Sequence, residues 1–217
     1  VKAREFDDVR RIAMEQSVTH YFQVIDRLCR TAEATRLDGT PLALGQAIES
    51  MIEDFRRVGR TDNKIMFVGN GGSAGIASHM AIDFTKNGDI AAMAFSDAAA
   101  LTCLGNDLGY EQVFARQISA HARPGDLLIA ISSSGRSPNI VNAVAAARGR
   151  DCRVHTLSGF SPDNPLRRLG DHNLHVASDQ YGLVEVSHQA LLHCLLDHAL
   201  GWDGRVKAED AILVPAE

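Results

Sequence analysis

"MFVGNGGSAGIASHMAIDF", residues 66–84, decides how this chain is read. A short unalternated apolar run enters a turn, Asn70-Gly71-Gly72-Ser73, and leaves it as a helical pattern that carries His79 and Asp83. An unalternated apolar run is the pattern of a strand covered on both faces. His79 and Asp83 are four residues apart and so fall within about 40° of each other on one helical face. Strand, glycine turn and helix form the repeating unit of an α/β sheet, in which ligands sit beyond the carboxyl ends of the strands.

Working outward, four more short apolar runs follow: "IAAMAFS", "DLLIAIS", "RVHTLSG" and "NLHVAS". Helical patterns separate them, over 73–86, parts of 98–120, 138–148, a short piece near Pro165, and 182–200. This alternation predicts an α/β fold, a doubly wound five-stranded parallel sheet flanked by helices. Ahead of it, residues 4–37 read as one long amphipathic helix with Val9, Ile12, Ala13, Tyr21, Val24, Ile25 and Leu28 in its stripe. A turn at "DGTP" leads to a second helix over 42–58, striped by Ile48, Met51, Ile52 and Phe55. Residues 1–60 are thus expected to form a long N-terminal helical pair that packs on the main domain, 61–217, or on a partner subunit, with one structural domain overall. The tail after Trp202 is polar.

The 217 residues carry a net charge of −5, so no basic excess is available to neutralise a nucleic-acid backbone. An anionic ligand would have to be captured by local geometry. The four cysteines, Cys29, Cys103, Cys152 and Cys194, form no C-x-x-C pair and read as reduced core thiols, which fits a cytoplasmic chain. No apolar run approaches the ~20 residues of a membrane span. The N-terminus, "VKAREFDDVRR", lacks the apolar stretch of a secretory signal.

Two strand-end loops share one chemistry. Asn70-Gly71-Gly72-Ser73 follows the first run, and Ser132-Ser133-Ser134-Gly135-Arg136-Ser137 follows the third, with Pro138 placed as a first helical residue. Glycines let the backbone approach an anion, N–H groups at a helix start point toward it, and hydroxyls add donors without charge. The same residues would also serve as plain turn and capping residues. Neither loop matches G-x-G-x-x-G or ends in G-K-[ST], which disfavours a dinucleotide or nucleoside triphosphate. Asp97 follows the second run, and Asn106 and Asp107 stand between two glycines in "LGNDLGY".

The last helical pattern, "GLVEVSHQALLHCLLDH", places Glu185 and His193 eight residues apart, about 80° around a helix. Two helices then each offer a carboxylate and an imidazole. His79, Asp83, Glu185 and His193 would suit a divalent metal such as zinc, or general acid–base work. His188 reads equally well as a core histidine, and His198 reads better as one.

Four blocks in this order, "GNGGSAGIASHMAIDF", "LTCLGNDLGYEQVFARQI", "GDLLIAISSSGRSPNIVNAVAAAR" and "VEVSHQALLHCLLDH", resemble the single-domain sugar isomerase (SIS) family, and within it the bacterial phosphoheptose isomerases. The resemblance implies a homotetramer with active sites at subunit interfaces and aldose–ketose isomerisation of a sugar phosphate, sedoheptulose 7-phosphate to a heptose 7-phosphate for surface polysaccharide. By the same resemblance Ser132, Ser134 and Ser137 would bind phosphate, and Asn70 and Ser73, with Gly71 and Gly72, would form the first substrate loop. Asp107 would contact sugar hydroxyls, Asp83 would be the general base, and His193 the catalytic histidine. His79, Asp83, Glu185 and His193 match the positions that bind zinc in members that carry it.

Three positions depart from the family pattern. Asp83 stands for a glutamate, Glu185 for a glutamine, and Asn87 for an arginine four residues after the base. The other reading is a non-catalytic SIS module that senses a sugar phosphate or binds a protein partner. Neither reading calls for nucleic acid or membrane.

Overall fold

The computed structural model describes the backbone of residues 2–204 and the side chains of 12–204. The side chain of Val9 in the expected first stripe and the tail beyond Gly204 lie outside what is described. Seven strands form one sheet in the order β2-β1-β7-β6-β5-β3-β4. Five are parallel and fall on the five expected runs: β3 (Ile65–Val68), β4 (Ala92–Ala94), β5 (Leu127–Ser132), β6 (Arg153–Gly159) and β7 (His172–Val176). The other two are a correction to the expected strand count. β1 (Glu33–Arg36) pairs antiparallel with β7 and with β2 (Pro41–Leu42).

The first helix, α1 (Lys2–Arg30), therefore stops short of the expected Leu37. "EATR" is composed of residues that tolerate a helix, but the free edge of β7 offers it a ladder, and the tertiary pairing prevails. The "DGTP" turn forms as expected: Gly39 has φ +82°, and Asp38 Oδ1 accepts from the Thr40 N–H at 2.9 Å.

Alternate residues of each parallel strand feed two cores. Ile65, Phe67, Ile129, Ile131, Leu157 and Leu174 face α2 (Leu44–Gly59), α3 (Gly72–Lys86) and α7 (Tyr181–Ala199), where Met51, Phe55 and Phe84 are fully buried. Met66, Val68, Leu128, Ala130 and Val154 face the other way, against α5 (Val113–His121) and α6 (Pro138–Arg148) through Phe114, Ile118 and Ile140. Helices on both faces explain why the strands read as unbroken apolar runs. Of the α1 stripe, Leu28 is buried and Val24 and Ile25 pack on the core, whereas Ile12 and Tyr21 stay exposed.

Asp97 serves as the N-cap of α4 (Ala98–Leu108), its Oδ1 accepting from the Ala100 N–H at 2.8 Å. All four cysteines are free, as expected, but Cys103 is exposed, because α4 buries none of its residues.

Candidate functional site

The carboxyl ends of β3 and β5 open into the two predicted loops. Gly71 takes φ +54° ahead of α3, and Gly135 takes φ +61° within the serine loop. Together the loops and the start of α7 enclose a cavity of about 110 Å³ lined by Asn70, Ser73, Ser132, Ser133, Ser134 and Ser137, with Tyr181 and Glu185 closing it. Ser137 is the N-cap residue of α6, yet its side chain makes no capping bond. Its Oγ lies 3.5 Å from Ser132 Oγ instead. Ser133, a member of the serine loop, is buried there, and among the described residues its Oγ has no hydrogen-bond partner. A buried hydroxyl normally has a partner, so this one stands out in the lining. That lining is hydroxyl, amide and helix-start N–H, which is the composition of an anion cradle without a cation.

Glu185 is the exception in that lining. Its carboxylate packs over Gly72, so close that a Cβ on Gly72 would run into it. Glu185 therefore sits with the cradle within this chain. His79, Asp83 and His193 do come together. Asp83 Oδ2 lies 3.2 Å from His79 Nε2 and 3.8 Å from His193 Nδ1, and the two Nε2 atoms are 3.2 Å apart. Two turns of α7 separate Glu185 from His193, about 12 Å at 1.5 Å per residue. Gln189, midway between them and not anticipated from sequence, hydrogen-bonds His193 Nε2 at 2.9 Å. The i, i+4 spacing to His193 was its one visible signal.

Asp107 stands exposed at the end of α4, bonded by Asn106 Nδ2 at 2.8 Å and outside the cavity lining. The neighbouring turn does reach the site, through the Tyr110 hydroxyl to Asn70 Oδ1 at 3.1 Å. His188 is a core residue, fully buried and bonded through Nε2 to the Ser158 carbonyl at 3.1 Å. His198 bonds the Cys194 carbonyl in the preceding turn at 2.8 Å.

A second group with metal-ligand chemistry, Asp54, His155 and His172, lies at the opposite, amino-terminal end of β6 and β7. Here Asp54 already meets Arg153 Nε at 3.0 Å, His155 Nε2 at 2.9 Å and Arg57 Nε at 3.6 Å. Burial raises the pKa of Asp54, but the His155 hydrogen bond and the two guanidinium groups outweigh it and hold the carboxyl below its usual range. Two arginines supply the positive charge a metal would bring, so this group is an ion-pair hub. Among the described residues no arginine or lysine ion pair engages Asp83, which leaves the His79 group with the donor set for a cation, two imidazole nitrogens and one carboxylate oxygen.

Comparison with known proteins places these features in a family. The SIS domain family model matches residues 20–159. A phosphoheptose isomerase of Aromatoleum aromaticum is 34% identical over 203 residues, 90% of each chain. One from Neisseria gonorrhoeae is 34% identical over 192 residues, 85% of this chain and 93% of that one. The solved phosphoheptose isomerase structure from Neisseria gonorrhoeae superposes with a TM-score of 0.74 at 30% identity, covering 89% of this chain and 98% of that one. The chain belongs to the SIS domain family, with phosphoheptose isomerases as its relatives.

Proposed function

We propose that this chain is an aldose–ketose isomerase of a sugar phosphate, interconverting sedoheptulose 7-phosphate and a heptose 7-phosphate for surface-polysaccharide synthesis. The observation that carries the reading is one cavity of hydroxyl and amide donors joined, along α3 and α7, to a group of two imidazoles and a carboxylate. The about 12 Å between Glu185 and His193 along the helix suits a long sugar chain with its phosphate at one end and its carbonyl at the other. Ser132, Ser134 and Ser137 hold the phosphate, with Asn70, Ser73 and the Gly71–Gly72 turn beside it. Glu185 and Asp107 accept from sugar hydroxyls.

Asp83 takes the proton from the carbon next to the carbonyl, giving an enediol, and returns it to the neighbouring carbon. His193, oriented by Gln189 and Asp83, moves protons between the two oxygens. His79, Asp83 and His193 would hold a zinc ion. When bound, the ion supplies Lewis-acid polarisation of the substrate oxygens. A lone pair of Asp83 given to the metal is not available to the carbon-bound proton, so one carboxylate oxygen must serve each task.

The homotetramer is part of the same proposal. Met14 and Phe22 on α1 are 65% and 64% exposed, and Ile12, Val18 and Tyr21 add to that surface, which a partner subunit would cover. Light scattering of the purified protein should give four chains per particle.

The test of function is turnover of sedoheptulose 7-phosphate by purified protein with and without added zinc. Asp83→Asn and His193→Ala are each expected to lower kcat at least ~100-fold with phosphate binding retained. Binding of sugar phosphate without turnover by the unsubstituted chain, across five- to seven-carbon substrates, would mark a non-catalytic module instead.

A further inference from the structure

Asn139 opens the first turn of α6 and is 2% exposed, so both ends of its amide must find partners inside the protein. They find them on the other ligand loop. Asn70 Nδ2 donates to Asn139 Oδ1 at 2.9 Å, and Asn139 Nδ2 donates back to Asn70 Oδ1 at 2.8 Å. The Tyr110 hydroxyl donates to the same Asn70 oxygen at 3.1 Å. Tyr110 is itself held in place, because its turn (Tyr110–Gln112) is tied to α6 by Asn142 Nδ2 donating to the Glu111 carbonyl at 3.0 Å.

The arithmetic of the amide is then closed on one side. Both lone pairs of Asn70 Oδ1 are used, and one hydrogen of Asn70 Nδ2 is used. A single amide hydrogen remains, on a side chain that lines the cavity beside Ser73 and Ser132. We infer that Asn139 and Tyr110 are positioning residues: they lock the Asn70 amide so that its one free N–H is presented to the bound anion. The reciprocal amide pair also staples the loop after β3 to the loop after β5, setting the width of the cradle. Neither residue touches the reacting carbon atoms, so their effect falls on binding of the phosphate end.

The inference rests on the sugar-phosphate reading for what it serves, but its test does not need turnover. Calorimetric titration with inorganic phosphate is expected to give about tenfold weaker affinity in Asn139→Ala and about threefold weaker in Tyr110→Phe. With sugar-phosphate substrate, KM should rise by similar factors while kcat stays within about twofold. A folded Asn139→Ala that binds phosphate as the unsubstituted chain does, or that loses kcat at constant KM, overturns the inference. If Asn139→Ala does not fold, Tyr110→Phe decides alone, since its ring is exposed and only the hydroxyl is removed; unaltered phosphate affinity there overturns it too. An unsubstituted chain that binds phosphate yet isomerises nothing sinks the isomerase reading and leaves this one standing. No phosphate binding at all overturns both.

Discussion

Gly135 concentrates the demands of the serine loop on one residue. Its φ of +61° lies in the left-handed region, and an added Cβ would overlap Asn164 Oδ1. Asn164 cannot yield, being fully buried, with its two Nδ2 hydrogens shared among Ser158 Oγ, the Gly159 carbonyl and the Ser161 carbonyl while its Oδ1 accepts from the Arg167 N–H. Gly135→Ala is therefore expected to cost about 2 kcal/mol or more in chemical unfolding, part of it left-handed strain of roughly 1–2 kcal/mol. It should also weaken phosphate binding at least ~tenfold by pushing Ser134 and Ser137 apart. A variant that unfolds and binds like its parent would mean the loop has slack that this packing does not allow. The serines and this glycine were legible because turn chemistry is written locally in the chain. Asn139 and Gln189 were not, because their significance comes from partners that only the fold supplies: Asn139 meets Asn70 across 69 residues.

At the scale of elements, the five parallel strands and their helices could be read from runs and turns, and the β1 hairpin could not. Glu33–Arg36 is polar and short, and its strand state comes from the β7 edge rather than from its own residues. What holds it there is partly one side chain. Asn173 on β7 accepts from Thr156 Oγ1 at 2.7 Å and the Gly170 N–H at 2.8 Å, and shares its two Nδ2 hydrogens among the carbonyls of Gly170, Thr35 and Arg36 at 3.0, 3.3 and 3.4 Å. Removing that amide strands buried backbone groups at the amino-terminal ends of the strands, away from the ligand loops. Asn173→Ala should lower the unfolding free energy by about 2–3 kcal/mol, with phosphate affinity within ~twofold of the parent. Equal losses of stability and affinity would show that the hairpin and the cradle are coupled, against the separation of the two sheet ends described above. The site was legible to a similar degree: the i, i+4 spacing sets His79 and Asp83 on one helical face, but the meeting of α3 with α7 that brings His193 to them is supplied by the fold. Within one chain Glu185 stands two helical turns from His193 and lines the cradle instead.

The whole molecule buries several imidazoles that the site does not use, and these link its stability to pH. His188 is fully enclosed at the centre of the α7 core, where burial pushes its pKa down to about 4 against the pull of the Ser158 carbonyl bond. His175, bonded to Ser158 Oγ through Nδ1 at 3.4 Å, is lowered mainly by burial as well, and each would repel the other's charge. In the unfolded chain a histidine titrates near 6.5. Between that value and about 4 the unfolded state therefore binds protons that the folded state refuses. By linkage, stability is fully present above about pH 6.5 and falls as pH drops toward 4, each such histidine contributing a slope of up to about 1.4 kcal/mol per pH unit. His172, lowered by burial to about 4, and His155, lowered the same way, add to the slope. Urea unfolding with chelator present, at pH 7.5, 6 and 5, should thus show a steady loss of stability on acidification. His188→Gln removes one titrating imidazole and leaves the others, so its slope should be shallower than the parent's by about one proton's worth, whatever its stability at pH 7.5. Parallel slopes in the two proteins would mean that His188 is already protonated in the folded state, which a fully buried ring facing a carbonyl and another histidine does not permit.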